Sequence, residues 1–264
     1  MASDLIAAAA DRALTAPVVP DVPPRARAWP LRLLTALAVV GVSTTIVLGL
    51  WVTPNDQFMG SYVRLLYIHP PMAWVSFIAY GLAFLSSLAY LWPRTRSLAW
   101  DRLAGSSVEV GVVFTGLTLV TGSIWGRPTW GAWWVWDPLL TTTALLFVLY
   151  VGYLVLRHIP GDPERRARRS AIAGLIAFID VPVVYFSVYW WRSLHQLPSI
   201  DNLTTHKTTI HSSMAWTLLL GFVSFTLVFA VLLVHRVRLA RLEDDEDDLG
   251  LEAALEERRR EVVQ

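Results

Sequence analysis

The sequence predicts an all-α integral membrane protein, a bundle of about six transmembrane helices with both termini cytoplasmic. Three observations predict it. Of the 264 residues, 55% are hydrophobic and only 16% charged, where a soluble domain carries about 25% charged residues. The apolar residues fall in long blocks, and six blocks reach the roughly 20 residues needed to cross a hydrocarbon core about 30 Å thick. The basic residues divide unequally among the loops between those blocks, and that asymmetry orients the bundle.

In order, the predicted spans are Leu31–Val52, Leu66–Trp92, Ala104–Trp125, Leu139–Arg157, Ala171–Trp191 and Ile210–His235. Pro54, Pro93, Pro128, Pro160 and Pro198 fall between or just after them, where a helix would be broken anyway. Residues 1–30 read as a cytoplasmic tail. They hold an alanine run and the proline-rich Pro17–Pro24, without the basic start and apolar core of a signal peptide. Their composition suits disorder, with a weak amphipathic pattern over Ser3–Leu14.

With the N-terminus inside, the inner loops hold Arg25, Arg27, Arg32, Arg94, Arg96, Arg102, Arg157, Arg165, Arg166, Arg168, Arg169, Arg236, Arg238 and Arg241. The outer loops hold only Arg64, Arg127, Arg192 and Lys207, which is the pattern of the positive-inside rule. The transmembrane domain then takes residues 31–236. Residues 237–264 form a charged cytoplasmic tail opening on the acidic run Glu243–Asp248, read as solvated.

Composition also excludes chemistry. With no cysteine, disulfides, thiol catalysis, zinc–thiolate sites and covalent Cys-x-x-Cys-His haem attachment are ruled out. A phosphate-binding loop needs Gly-Lys, and the one lysine, Lys207, follows His206. The chain therefore predicts no independent catalytic activity, and any ATP-driven step belongs to a partner. Its solvent is membrane lipid, and no nucleic acid is expected.

Three outer segments remain, 53–65, 126–138 and 192–209. The middle one, with the residue leading into it, holds Trp125, Trp130, Trp133, Trp134 and Trp136 and ends on Asp137. An indole at headgroup level is ordinary and accounts for one or two tryptophans per loop. Five in twelve positions, interrupted by glycine, suit a large planar apolar ligand approaching closely. His158 and His235 sit beside arginines at inner helix ends, positions of capping or solvation. His69 and His195 lie on the tryptophan side, in the segments before and after the loop. A lone interfacial histidine is ordinarily only hydrogen-bonded, but neutral imidazole is also a common axial ligand of haem iron. His206 and His211 share this side, so spacing alone does not choose a pair.

The run Trp125-Gly126-x-x-x-Trp130-Gly131-x-Trp133-Trp134-x-Trp136-Asp137 resembles the WWD signature of haem-handling proteins in cytochrome c biogenesis. Arg64-x-x-Tyr67-Ile68-His69-Pro70 and Pro182-x-x-Tyr185-x-Ser187-x-x-Trp190-Trp191-x-x-Leu194-His195-Gln196 resemble two further landmarks of one branch, the cytochrome c maturation protein C (haem exporter protein C) family. The resemblance runs from about Leu31 to His235. It implies non-covalent, transient binding of haem b at the outer, periplasmic face of the cytoplasmic (inner) membrane. It also implies delivery to a haem chaperone, cytochrome c maturation protein E. The implied company is maturation protein D, a small single-span subunit, and maturation proteins A and B, the ABC transporter subunits.

Residue by residue, the resemblance places the iron ligands on His69 and His195 and macrocycle contacts on Trp125, Trp130, Trp133, Trp134, Trp136 and Asp137. Family members commonly carry a basic residue two positions after the motif's aspartate; here that position is Leu139. Arg64 is then the first candidate for a haem propionate, since guanidinium pairs well with carboxylate; the alternative is an arginine snorkelling to the interface. Asp137 is read either as orienting an incoming group or pairing with an arginine, or as capping the helix before Leu139. Handover predicts an open, outward-facing cleft.

Two carboxylates fall within spans, where burying charge is expensive. Asp180, just before Pro182, is read as making a structural hydrogen bond. Glu109 is read as reaching the inner interface or a neighbouring subunit. Competing functional readings are a haem b electron-transfer protein, the larger cytochrome c synthetases, and a cofactor-free transporter subunit.

Overall fold

The computed structural model describes residues 29–195, 200–201, 207–208 and 210–263. The predicted N-terminal tail up to residue 28, including Ser3–Leu14, lies outside the described residues, as do Gln196, Pro198 and His206. The chain divides into two units, Met1–Leu33 and Leu34–Gln264. Described residues of the first are the opening of the first helix; the helical bundle lies in the second.

Helix α1 spans Trp29–Val47 and closes in a π-helical turn, Leu48–Val52. A 3-10 helix, Ser61–Tyr67, leads into α2, His69–Leu91. Helices α3, Leu98–Trp130, α4, Pro138–Arg157, α5, Pro163–Phe178, and α6, Asp180–Trp190, follow. Two-residue strands β1, Ile200–Asp201, and β2, Lys207–Thr208, pair antiparallel before α7, Ser212–Val263. Six stretches among the described residues are long and apolar enough to cross a membrane, with α5 and α6 forming one of them. The fold is the predicted all-α membrane architecture.

Span ends differ from the sequence expectation, each for a local reason. Helix α3 runs through Trp125 to Trp130, with Pro128 inside it. Proline so near the end forfeits a single bond of the last turn, and Gly131, at φ 77°, closes the helix by donating its amide to the Arg127 carbonyl. Gly126, Arg127, Pro128, Thr129 and Trp130, expected in the outer segment, are therefore helical. The fifth span begins at Pro163, because Asp162 caps the amides of Glu164 and Arg165. It breaks at Ile179, where Pro182 can neither donate to nor fit against the Phe178 carbonyl. Helix α7 continues far past His235, and its acidic stretch is partly docked. Asp244 pairs with Arg102 and Arg166, and Glu243 with Arg236.

The core lies between α2, α3, α4 and the α5–α6 pair. Tyr80 stacks on Tyr150 with ring centroids 3.7 Å apart, and the Tyr80 hydroxyl meets Thr115 at 2.7 Å. Helices α2 and α3 approach closely because Gly111 faces Tyr80; a Cβ there would lie 2.8 Å from the ring. Small residues of this kind let backbones meet where lipid supplies no hydrophobic drive between helices. At the arginine-rich end Arg157 grips Asp101 in a bidentate pair, 2.8 Å for Nη2 to Oδ2. Glu109, there too, receives both Nε and Nη2 of Arg236, so its partner is within the chain. Asp180 departs from expectation: its Oδ2 is buried and takes no hydrogen bond among the described residues.

Candidate functional site

Alternation of the helices brings four ends together: the starts of α2 and α4 and the ends of α3 and α6. His69 opens α2, ahead of Pro70 and Pro71 at the first helical positions, where a missing N–H costs nothing. Its Nδ1 lies 3.0 Å from the Thr121 hydroxyl on α3. That hydroxyl spends its one proton on the carbonyls of Leu117, at 2.8 Å, and Thr118, at 3.2 Å. Thr121 Oγ1 is therefore an acceptor toward His69, Nδ1 carries the proton, and Nε2 keeps its lone pair. Gly122 makes room for the ring: a Cβ there would stand 3.0 Å from His69 Cε1. One turn on, Trp125 meets the imidazole edge-on, centroids 5.7 Å apart.

His195 is held differently, on the non-helical segment after α6. Asp137 caps α4 by accepting from the Leu139 amide at 2.9 Å. Its Oδ2 accepts from the Leu194 amide at 2.7 Å and the Ser193 hydroxyl at 2.9 Å. Oδ1 faces Nδ1 of His195 at 3.3 Å, and Ser193 Oγ also accepts from the His195 amide. One buried carboxylate thus fixes both the helix start and the histidine loop. Trp130 walls the ring, with centroids 4.7 Å apart and planes at 71°.

Electrostatics follow from this packing. Burial works to raise the Asp137 pKa, but the Leu194 amide, the Ser193 hydroxyl, His195 and the Leu139 amide outweigh it and hold the carboxyl below the usual carboxylate range. Burial pulls His195 below the usual imidazole value, and the opposing influence of Asp137 does not restore it. At neutral pH the pair is carboxylate and neutral imidazole, with the Nδ1 proton toward Asp137 and the Nε2 lone pair free.

The five tryptophans do not form one plane. Trp125 and Trp130 each serve one histidine, and Trp134 and Trp136 meet at 83°. Trp133 and Trp136 are 60% and 80% exposed. At this end of the bundle the Nε of Arg64 and the Nε1 of Trp125 and of Trp134 are buried and take no hydrogen bond among the described residues. Arg64 belongs to the 3-10 helix, whose Val63, Leu66 and Tyr67 share an apolar cluster with Trp125 and the start of α7. Uncommitted buried donors are costly, and their set fits a ligand bearing carboxylates. His211 uses its Nδ1 on Ser213 at the start of α7, at 2.9 Å.

Thr121, Gly122 and Ser193 were not legible as site residues. Thr121 stands one turn before Trp125, on the same face of α3, but nothing in the sequence shows which residue faces it. Asp137 answers its alternatives: it caps α4 and binds the histidine loop, and no arginine pairs with it among the described residues.

Fold and geometry define a polytopic helical membrane protein with an aromatic-walled pair of histidines at one end of its bundle. Residues 20–250 match the family model for heme exporter protein C. Heme exporter protein C of Bradyrhizobium diazoefficiens is 36% identical over 82% of this chain and 81% of its own length. That of Escherichia coli K12 is 34% identical over 80% and 83%. A putative cytochrome c biosynthesis ccmC-like mitochondrial protein of Arabidopsis thaliana is 37% identical over 78% and 73%. The chain belongs to the heme exporter protein C family.

Proposed function

We propose that this protein binds haem at the outer face of the cytoplasmic membrane and delivers it to the haem chaperone of cytochrome c maturation, maturation protein E. The observation that carries the reading is the histidine pair. His69 and His195 come from separate elements, each has Nδ1 engaged, and each keeps Nε2 for iron. A carboxylate behind a ligating histidine fixes ring orientation and raises ligand basicity, the role given to Asp137. Trp125 and Trp130 hold the macrocycle beside the two imidazoles, while Trp133, Trp134 and Trp136 extend the aromatic surface toward the open side. Arg64 takes a propionate, its buried Nε gaining the acceptor it lacks.

Haem here is cargo, bound without a covalent link as haem b, and it supplies an iron that the two imidazoles hold. The two sides of the clamp differ. His69 is fixed on the first turn of α2 and by Thr121. His195 rides on a loop held by hydrogen bonds to Asp137, so the loop side yields when the chaperone approaches the exposed Trp133 and Trp136. Both termini lie in the cytoplasm, with the arginine-rich end, and the haem end faces the periplasm. Maturation proteins A and B supply ATP hydrolysis, which this chain lacks a loop to perform, and maturation protein D completes the assembly.

The test is transfer. Haem-loaded protein mixed with the soluble domain of the apo-chaperone should lose its Soret absorbance as the chaperone acquires haem. Haem retained by this protein, with rapid reversible reduction, would favour the electron-transfer reading instead.

A further inference from the structure

At the opposite end of the bundle, one face of α5 changes character along its length. Arg165, Arg168 and Arg169 occupy its first turns, and Ile172 and Ile176 continue the same face deeper in. With Leu156 of α4 they line a groove of about 510 Å³. From Arg165 to Ile176 the helix rises about 16 Å, close to half of the ~30 Å hydrocarbon core. Ile172 and Ile176 are 45% and 60% exposed. Arg169 fixes one wall by donating Nη2 to the carbonyls of Leu156 and Ile159, both at 2.9 Å. Its Nε is buried and takes no hydrogen bond among the described residues.

Among the described residues no acid lines this groove. Asp162 and Glu164 face a neighbouring recess that also touches Arg165 and Arg168, and Asp162 is committed to the amides that open α5. We propose that the groove is a site for an anionic phospholipid. The phosphate sits among Arg165, Arg168 and Arg169, and one acyl chain lies along Ile172 and Ile176. A free phosphate would leave the isoleucines uncovered, and an apolar helix would supply no acceptor to Arg165, Arg168 or the Nε of Arg169. A phospholipid of one leaflet matches both halves at the right spacing, as basic recesses between membrane helices commonly do.

The experiment is native mass spectrometry of the full-length, delipidated protein given equimolar phosphatidylglycerol and phosphatidylcholine. The wild-type protein should retain phosphatidylglycerol with about a tenfold preference, and Arg165→Gln/Arg168→Gln should lower that preference at least about fivefold, toward equal retention, since each arginine near the surface contributes roughly a factor of five. Ala173 also lines the groove, and Ala173→Phe, which fills it without changing charge, should lower retention of both lipids. Equal retention of the two lipids, an unchanged preference in the double variant, or undiminished retention in Ala173→Phe would overturn the proposal. Competition by glycerol phosphate as strong as by the lipid would reduce the groove to an anion site and overturn it too. If the charge variant fails to fold, Ala173→Phe decides alone. None of these residues touches the histidine site, so its haem absorbance is the control.

Discussion

Asp137 and His195 meet through Oδ1 and Nδ1 at 3.3 Å, the aspartate side chain 1% exposed and the histidine 22%. This pair ties the first residue before α4 to the loop after α6, joining the tryptophan motif to a histidine 58 positions away. The carboxylate makes three further bonds, to the amides of Leu139 and Leu194 and the hydroxyl of Ser193. It sets the position, tautomer and basicity of the imidazole at once.

Substituting Asp137 should therefore damage haem binding more than folding. Asp137→Ala loses a helix cap, about 1 kcal/mol, and should weaken haem affinity roughly 10- to 100-fold, the usual effect of removing the partner behind a ligating histidine. Asp137→Asn keeps the cap but not the charge and should fall between. Haem titration followed at the Soret band checks both. Wild-type affinity in both variants would remove Asp137 from the account.

The pH dependence follows from the same pair. His195 has a folded pKa below the ordinary 6.5 or so, so the unfolded loop takes up a proton more readily than the folded one. Its contribution to stability is present above about pH 6.5 and is lost as pH falls through the lowered folded value. Asp137, also lowered, keeps its contribution above about pH 4 and loses it in stronger acid. Haem retention should be flat from about pH 8 to 6.5 and decline below that. In Asp137→Asn the carboxylate that raises the imidazole pKa is gone, so the acid limb should move lower still, on a weaker affinity throughout. A midpoint of haem loss above pH ~6.5 would contradict this sign.

Thr121 should behave as a positioning residue for His69. Thr121→Val preserves shape and removes the acceptor for Nδ1, with a net cost near 1 kcal/mol for a lost hydrogen bond. Haem affinity should drop about five- to tenfold, with a shifted Soret maximum as the ring reorients. Thr121→Ser should restore both. A valine variant with a wild-type spectrum would leave Thr121 a purely structural residue.

Arg64 separates propionate recognition from interfacial anchoring. Arg64→Ala should weaken binding of haem but leave binding of haem dimethyl ester unchanged, because the ester offers no carboxylate. Equal losses for the two ligands would favour the snorkelling role.

The six spans were legible because hydrocarbon thickness fixes how many apolar residues a helix needs. Their ends were not. Pro128 is tolerated in the last turn of α3, and α7 continues because Glu243 and Asp244 find arginines to pair with. The side on which His69, His195 and the tryptophans gather was legible from alternation of spans. What each side chain touches was not. A carboxylate after a tryptophan run reads as a cap from spacing alone, and its second partner, His195, depends on how α6 returns beside α4. Thr121 and Gly122 carried no signal, because their role comes from facing His69 across a helix pair.

The central claim is that His69 and His195 jointly hold haem iron, and the visible absorption spectrum of the purified protein tests it most directly. The wild-type protein should show a Soret band with low-spin features, weakened or shifted in both His69→Ala and His195→Ala while the helical circular dichroism is unchanged. A spectrum indifferent to both substitutions, or a wild-type protein that takes up no haem, would contradict the account.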